Sequence, residues 1–145
     1  MDVIVFAYRG YSDSSGVPSE AVLKEDAHSI MKYVNEHLAR YYVDNGGIFL
    51  LGRALGGAVA VEAYYQDEYN FMIDGLILEN TFTSIPDMVD HNFYLIKYLK
   101  SLILRIEWRT IDIIPHIDAP LLFVTGKNDN IIPSIQTEQL YNAAG

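Results

Sequence analysis

The stretch at residues 52–56 has the residue types and spacing of a turn that presents a nucleophile. It reads Gly-Arg-Ala-Leu-Gly and follows the apolar run at residues 48–51. In the pattern G-x-S-x-G, two glycines flank a tight turn from strand to helix, and the serine hydroxyl attacks a carbonyl carbon. Ala54 occupies the serine position here and has no oxygen for such an attack. Taken alone, the same spacing is also typical of ordinary close packing between a strand and a helix.

Asp129 is a second residue whose position could serve chemistry, because it follows the apolar run at residues 121–125. An aspartate after a strand commonly forms a turn, and it can also orient a catalytic imidazole and stabilise the charged ring. A histidine would have to supply that imidazole, and every histidine of the chain precedes Asp129 in the sequence. The four histidines are His28, His37, His91 and His116.

Two other groupings have weaker support from their spacing. Asp112, His116 and Asp118 are metal-ligand types, but they lie on a loop that contains prolines and have no fourth partner. The glycines of residues 52–57, with Glu79 further on, loosely resemble a dinucleotide-binding turn, yet their spacing is not G-x-G-x-x-G. We therefore predict no metal site and no nucleotide cofactor.

The elements that must position these residues alternate along the chain. Short apolar runs predict strands at residues 3–8, 48–51, 76–78 and 121–125. Each run is nearly all apolar, as expected for parallel strands buried on both faces. Apolar residues at spacings of three and four from Leu23 to Tyr41 predict a helix with Ser19 as its N-cap. Further helices are predicted over 55–66 and from 134 onwards. The order βαβαβαβ predicts an α/β fold with a parallel sheet.

The connection over residues 80–120 is longer than one crossover helix requires, so we expect a helical insertion at about residues 84–110. Residues 92–108 carry leucine and isoleucine at helical spacing. Four of the ten basic side chains lie in residues 92–109, namely Lys97, Lys100, Arg105 and Arg109. The pattern is typical of a helix that packs its apolar stripe on the sheet. It also suits a surface helix at anionic lipid or at the lip of a substrate site.

The composition excludes several classes of protein. The chain has 145 residues, consistent with one domain, and its 10 basic against 19 acidic side chains give a formal charge of −9. This charge argues against a sequence-independent nucleic-acid binder, which needs lysine and arginine to neutralise phosphates. The absence of cysteine excludes disulfides, thiolate metal sites and thiol nucleophiles. No signal peptide or bilayer-spanning run is present in these residues, and the compartment stays undetermined.

Three blocks resemble a known family in the same order and spacing. They are YRGYSDSSGVPSE at residues 8–20, ENTFTSIPDM at 79–88 and LFVTGKNDNIIP at 122–133. These blocks are similar to those of the α/β-hydrolases, in particular the bud-emergence (BEM) branch and the abhydrolase-domain-containing proteins, which are serine hydrolases often tied to membranes. The resemblance covers essentially the whole chain, although Ser12 stands where the family has glycine.

The resemblance implies a partial α/β-hydrolase domain over residues 1–145 that lacks the family's N-terminal strands and its C-terminal strand. The four predicted strands match the fourth to seventh of the family's eight, and the third lies between the fourth and fifth in that sheet. The strand at residues 3–8 would therefore be separated from the strand at 48–51 by a gap one strand wide. We expect the chain to be a fragment of a longer product, or its first strand to fray or pair elsewhere.

The resemblance also implies roles for individual residues. Ala54 matches the nucleophile, Asp129 matches the triad acid, and the backbone N–H of Leu55 matches one oxyanion donor. No histidine matches the triad base, which follows the acid in this family, and the second oxyanion donor belongs to a loop that would precede residue 1.

The function implied is a serine hydrolase of acyl ester, thioester or amide bonds, with a small acyl or lipid-like substrate and no cofactor. Without nucleophile and base, we expect no activity from the chain as written. The alternative is a non-catalytic binding or regulatory protein that acts at a membrane or on a protein partner.

Overall fold

The computed structural model describes residues 2–38, 46–91 and 107–145, with the side chains of residues 89–91 left out. The elements in chain order are α1 (Glu20–His37), β1 (Phe49–Arg53), α2 (Leu55–Gln66), a 3-10 turn (Asn70–Met72), β2 (Gly75–Glu79), α3 (Ile85–His91), α4 (Thr110–Ile113), a second 3-10 turn (Ile114–His116), β3 (Leu121–Val124) and α5 (Ser134–Ala143).

The strands form a three-stranded parallel sheet in the order β1-β2-β3. Arg53 of β1 is paired with Glu79 of β2, which is paired with Val124 of β3. The three strands therefore end level with one another, and the residues that follow them share one edge of the sheet. The predicted α/β class with a parallel sheet is confirmed.

Helix α1 begins where the sequence predicts it. Ser19 Oγ accepts a hydrogen bond from the backbone N–H of Val22 at 3.2 Å, which satisfies one of the free donors of the first turn. Leu23, Ala27 and Met31 recur every four residues and are buried. The described helix ends at His37, and residues 39–45 lie outside the described part of the chain.

The larger of the two hydrophobic clusters lies on one face of the sheet. Leu76 and Leu78 of the central strand are buried there, with Leu50 of β1 and Phe123 of β3 packed beside them. Side chains from the helices cover this layer: Met31 of α1, Val61 of α2 and Leu140 of α5. This face carries the hydrophobic burial that holds the helices against the sheet.

The opposite face of the two outer strands is exposed, so the prediction of strands buried on both faces is wrong for β1 and β3. Phe49 and Leu51 are 57% and 67% exposed, and Leu122 and Val124 are 55% and 45% exposed. Parallel strands read as apolar on both faces because they are ordinarily covered by helices on both sides. Within residues 2–38, 46–91 and 107–145, these four side chains have no such cover.

The segment at residues 3–8, predicted as the first strand, belongs to no β-ladder in the described structure, so that prediction is wrong. Its apolar side chains are exposed, including Val3 and Val5 at 68% and 87%. A strand is held by hydrogen bonds to a neighbour, and a favourable residue composition does not supply one. The expectation that this strand frays or pairs elsewhere stays a prediction.

The chain after this segment is tied to α1 by Arg9. The backbone N–H of Arg9 donates to Asp26 Oδ2 at 2.8 Å, and its Nε donates to Asp26 Oδ1 at 2.6 Å. Hydrogen bonds from the guanidinium to Glu25 and Asp26 raise the pKa of Arg9 above its ordinary value. Ser12, at the family's glycine position, has a φ of 51°, in the left-handed region that favours glycine.

The predicted insertion at about residues 84–110 is described only at its two ends, by α3 and the start of α4. Residues 92–106, with Lys97, Lys100 and Arg105, lie outside the described residues, so the basic amphipathic helix stays a prediction. None of the helices in the described ranges is both long and apolar enough to span a bilayer.

Candidate active site

Ala54 sits on the sharp turn that connects β1 to α2. Its backbone has φ 50° and ψ −117°, a combination that side-chain-bearing residues rarely adopt. Two hydrogen bonds hold the turn: Ala54 N–H donates to the carbonyl of Glu79 at 2.9 Å, and Gly57 N–H donates to the carbonyl of Ala54 at 3.0 Å. The predicted strained turn is therefore present, with a methyl group at its centre.

Close packing around this turn requires two glycines, but they are not the two that the pattern predicts. A Cβ on Gly52 would lie 2.5 Å from Gly57 Cα and 2.6 Å from the carbonyl carbon of Gly56. A Cβ on Gly57 would overlap Thr81, with Thr81 Cβ at 2.9 Å. A Cβ on Gly56 would meet nothing within 4 Å. Only glycine fits without a clash at positions 52 and 57. The expectation that a side chain at Gly56 would collide is wrong.

Leu55 is the first residue of α2, so its backbone N–H has no acceptor within the helix. The free N–H groups at a helix N-terminus point out of the helix and carry partial positive charge, so they favour an anionic oxygen. The predicted oxyanion donor therefore lies beside Ala54 at the edge of the sheet. Its catalytic role stays a prediction.

The Asp129 carboxylate lies in the loop after β3 and accepts hydrogen bonds from three donors. Oδ1 accepts hydrogen bonds from the backbone N–H groups of Ile131 at 2.7 Å and Ile132 at 3.0 Å. Oδ2 accepts one from Asn80 Nδ2 at 2.8 Å. The backbone N–H of Asp129 donates to the carbonyl of Gly126 at 3.1 Å. These bonds fix the carboxylate, so the residue is a turn former, and its role as a triad acid stays a prediction.

Asn80 is a site residue to which the sequence analysis assigned no role. It directly follows β2 and has a φ of 45°, and its Oδ1 accepts a hydrogen bond from Gly126 N–H at 2.9 Å. The signal that could have found it is its position, because ligands of open α/β sheets bind outside the carboxyl ends of the strands.

The sheet brings Ala54, Asn80 and Asp129 to the same edge. They follow β1, β2 and β3, whose final residues are in register. Neighbouring strands lie about 4.8 Å apart, so the ends of β1 and β3 are roughly 10 Å apart with β2 between them. This spacing leaves room for an imidazole between the nucleophile position and the acid.

The histidines have other partners in the described structure. His28 Nδ1 lies 2.8 Å from Asp67 Oδ2, at the contact of α1 with the end of α2. His37 packs on the ring of Tyr33, and His116 packs on another tyrosine ring. The side chain of His91 is outside the described residues. None of the three described histidine side chains hydrogen-bonds Asp129.

The three residues considered as metal ligands have separate partners. Asp112 pairs with Arg109, and the hydrogen bond from that guanidinium lowers the pKa of the Asp112 carboxyl. Asp118 accepts a hydrogen bond from the Tyr64 hydroxyl at 2.5 Å. Among the residues that the structure describes, no group of three or more histidines and carboxylates is arranged to hold a metal ion.

Comparison with known proteins gives consistent matches. Protein bem46 of Schizosaccharomyces pombe is 38% identical over 149 residues, covering 100% of this chain and 47% of the relative. The alpha/beta hydrolase domain-containing protein WAV2 of Arabidopsis thaliana is 34% identical, covering 99% and 48%. The lysophosphatidylserine lipase ABHD12 of Danio rerio is 27% identical, covering 98% and 39%. The chain thus spans about half the length of the curated relatives it matches. No protein-family model matches it.

Solved structures share the fold. A lipase-esterase related protein from Clostridium acetobutylicum superposes with a TM-score of 0.62 at 14% identity, covering 93% of this chain and 68% of that one. An esterase from Thermogutta terrifontis superposes with a TM-score of 0.59 at 19% identity, covering 94% and 65%. The relatives confirm the resemblance: over essentially its whole length this chain is similar to about half of proteins on the bud-emergence and abhydrolase-domain-containing branch of the α/β-hydrolases. The solved structures show that it has a partial form of the α/β-hydrolase fold.

Proposed function

We propose that the chain descends from serine hydrolases that cleave acyl ester, thioester or amide bonds. The chain itself does not hydrolyse these bonds. The observation that carries the proposal is Ala54, whose methyl carbon occupies the strained turn where the nucleophile would stand. An acyl-enzyme cannot form on a methyl group. Removing the serine of another serine hydrolase lowers kcat on the order of a millionfold, or about 8 kcal/mol.

A small acyl or lipid-like molecule is the ligand class that we propose. One relative is called a lysophosphatidylserine lipase, and structural neighbours are called esterases and lipases. The Leu55 N–H, at the edge of the sheet beyond β1, supplies a hydrogen-bond donor to which a carbonyl oxygen could bind. The chain spans about half the length of these relatives, so the substrate of a full-length protein that contains this chain is also a proposal.

The second candidate is a non-catalytic binding or regulatory protein. Two observations favour it: the strained backbone at Ala54 and the hydrogen bonds that hold the Asp129 carboxylate. The turn is retained although its central residue, Ala54, is not a nucleophile, and the Asp129 carboxylate is still held by its hydrogen bonds. A membrane surface is a partner for this candidate, because one yeast relative is called a membrane protein. The basic stretch at residues 92–109 would supply the positive charge for anionic lipid.

The test uses the purified chain with p-nitrophenyl butyrate and with a fluorophosphonate probe. We expect no release of p-nitrophenolate above a heat-denatured control and no mass increase on a residue of the sheet edge. Hydrolysis that Asp129→Asn abolishes would overturn the proposal. Amide shifts at Leu55 on adding the ester, without hydrolysis, would support the binding candidate. Leu55→Pro lacks that N–H, so ester-induced shifts at the neighbouring Gly56 and Gly57 amides that persist in this variant would argue against it.

A further inference from the structure

We propose that Asn80 is the positioning residue of Asp129: its side-chain amide selects which carboxylate oxygen faces the nucleophile position. This inference rests on the proposed function, because it assigns Asp129 the part of the triad acid. It assigns Asn80 no contact with the substrate. Asn80 would act only through the carboxylate that it holds.

The backbone places Asn80 between the two ends of the site. Its N–H donates to the carbonyl of Val124 at 2.9 Å, which fixes the residue at the level where β3 ends. Ala54, after β1, is fixed in the same way to the carbonyl of Glu79. Asn80 therefore follows the central strand, with the nucleophile position on one side and the acid loop on the other. Its φ of 45° is tolerated because asparagine adopts the left-handed region more readily than most residues.

The side chain uses both of its polar atoms on the acid loop. Asn80 Oδ1 accepts from Gly126 N–H at 2.9 Å, and Nδ2 donates to Asp129 Oδ2 at 2.8 Å. One amide thus clamps the first residue of the turn and the carboxylate at its end. The Gly126 bond also fixes which atom of the amide is the donor, since Oδ1 is occupied as the acceptor.

The two oxygens of Asp129 consequently have different surroundings. Oδ1 accepts from the N–H groups of Ile131 and Ile132, both in its own loop. Oδ2 is the oxygen bonded to Asn80, on the side of the central strand and hence of Ala54 beyond it. A carboxylate oxygen has two lone pairs, so Oδ2 can accept a second hydrogen bond from an imidazole N–H. Removing the amide leaves the loop bonds to Oδ1 and takes away the contact that aims Oδ2.

Asn80 has a plain structural alternative, in which it serves only as a residue suited to positive φ. Three variants separate the two roles. Asn80→Gly keeps the freedom to adopt positive φ and removes the amide. Asn80→Asp keeps an acceptor for Gly126 N–H and loses the donor to Asp129. Asp129→Ala leaves Asn80 intact and removes its acceptor.

The experiment is NMR of the isotopically labelled chain, with folding of each variant checked by the fluorescence of Trp108, which is buried. We expect one side-chain amide proton of Asn80 to exchange about tenfold more slowly than an exposed asparagine, as a hydrogen bond to a charged acceptor requires. Asp129→Ala should abolish this protection. Asn80→Gly and Asn80→Asp should move the carboxyl carbon resonance of Asp129, while Ile131 and Ile132 amide protection stays unchanged in Asn80→Gly.

An Asp129 carboxyl resonance that is the same in wild type and Asn80→Gly would overturn the inference. So would an Asn80 side-chain proton that is unaffected by Asp129→Ala, a measurement that stands even if the Asn80 variants fail to fold. No substrate is present in these experiments. Hydrolysis by the purified chain would therefore refute the proposed function without touching this result, and the two failures are distinguishable.

Discussion

Alanine substitution of the three glycines around the turn at Ala54 should give three different stabilities. At Gly52 the added methyl meets backbone atoms of Gly56 and Gly57 that no side-chain rotation can move. Overpacking of this kind costs about 1–3 kcal/mol, and the rigid obstacle places Gly52→Ala at the upper end of that range. At Gly57 the obstacle is Thr81, which is fully buried, and the helix gains up to about 1 kcal/mol from alanine. We expect a net loss of roughly 1–2 kcal/mol there.

Gly56→Ala is the matched control, because its methyl meets nothing within 4 Å and the residue lies in helix α2. Alanine should stabilise it by about 0.5–1 kcal/mol. Urea unfolding followed by circular dichroism measures all three variants, and melting temperatures should move by about 2–4 °C per kcal/mol. The steric reasoning is refuted if Gly56→Ala destabilises as much as Gly52→Ala, or if Gly52→Ala is neutral.

Three further changes test individual contacts. Ser19→Ala removes the N-cap acceptor of α1 and should cost about 1 kcal/mol in urea unfolding, and an unchanged midpoint would contradict the cap. Burial and the hydrogen bond to Asp118 raise the pKa of Tyr64 to about 12. Since the pKa of Tyr64 in the folded chain lies above the ordinary 10, the stabilisation from its protonated hydroxyl is complete below about pH 10 and is lost as the pH rises through 12. Tyr64→Phe should therefore lose that part of the alkaline unfolding transition measured by circular dichroism. Arg9→Ala removes the side-chain hydrogen bonds to Asp26 and Glu25 and keeps the backbone N–H bond to Asp26. It should speed chymotryptic cleavage after nearby tyrosines, whereas an unchanged cleavage rate would show that the side-chain bonds do not order this segment.

The helices could be predicted from the sequence because their causes are local. The apolar spacing from Leu23 and the cap at Ser19 both act within one helical turn, and the structure places α1 accordingly. Helix α2 runs over Leu55–Gln66, as predicted, because the glycine-rich turn starts it abruptly. These features depend on neighbours three or four residues away, which a single sequence contains in full.

The failures have long-range causes. The apolar run at residues 3–8 has strand composition, but pairing requires a second strand at the right distance, and composition does not report that. The exposure of Leu51 and Val124 likewise depends on which element lies over the sheet. Asn80 was overlooked because its partners Gly126 and Asp129 are 46 and 49 residues away in sequence. The alignment of three strand ends is what brings them together.

The conformation of Ala54 separates the fold of this site from its chemistry. Holding a residue other than glycine in such a region costs on the order of 1–3 kcal/mol, and alanine gains no reactive group in return. The contacts that impose the turn are the bond from Ala54 N–H to Glu79 and the packing of Gly52 against the first turn of α2. Both are backbone contacts, so they hold the turn whatever side chain stands at position 54. Serine and alanine therefore fit the same turn, so the turn does not depend on a nucleophilic oxygen at position 54.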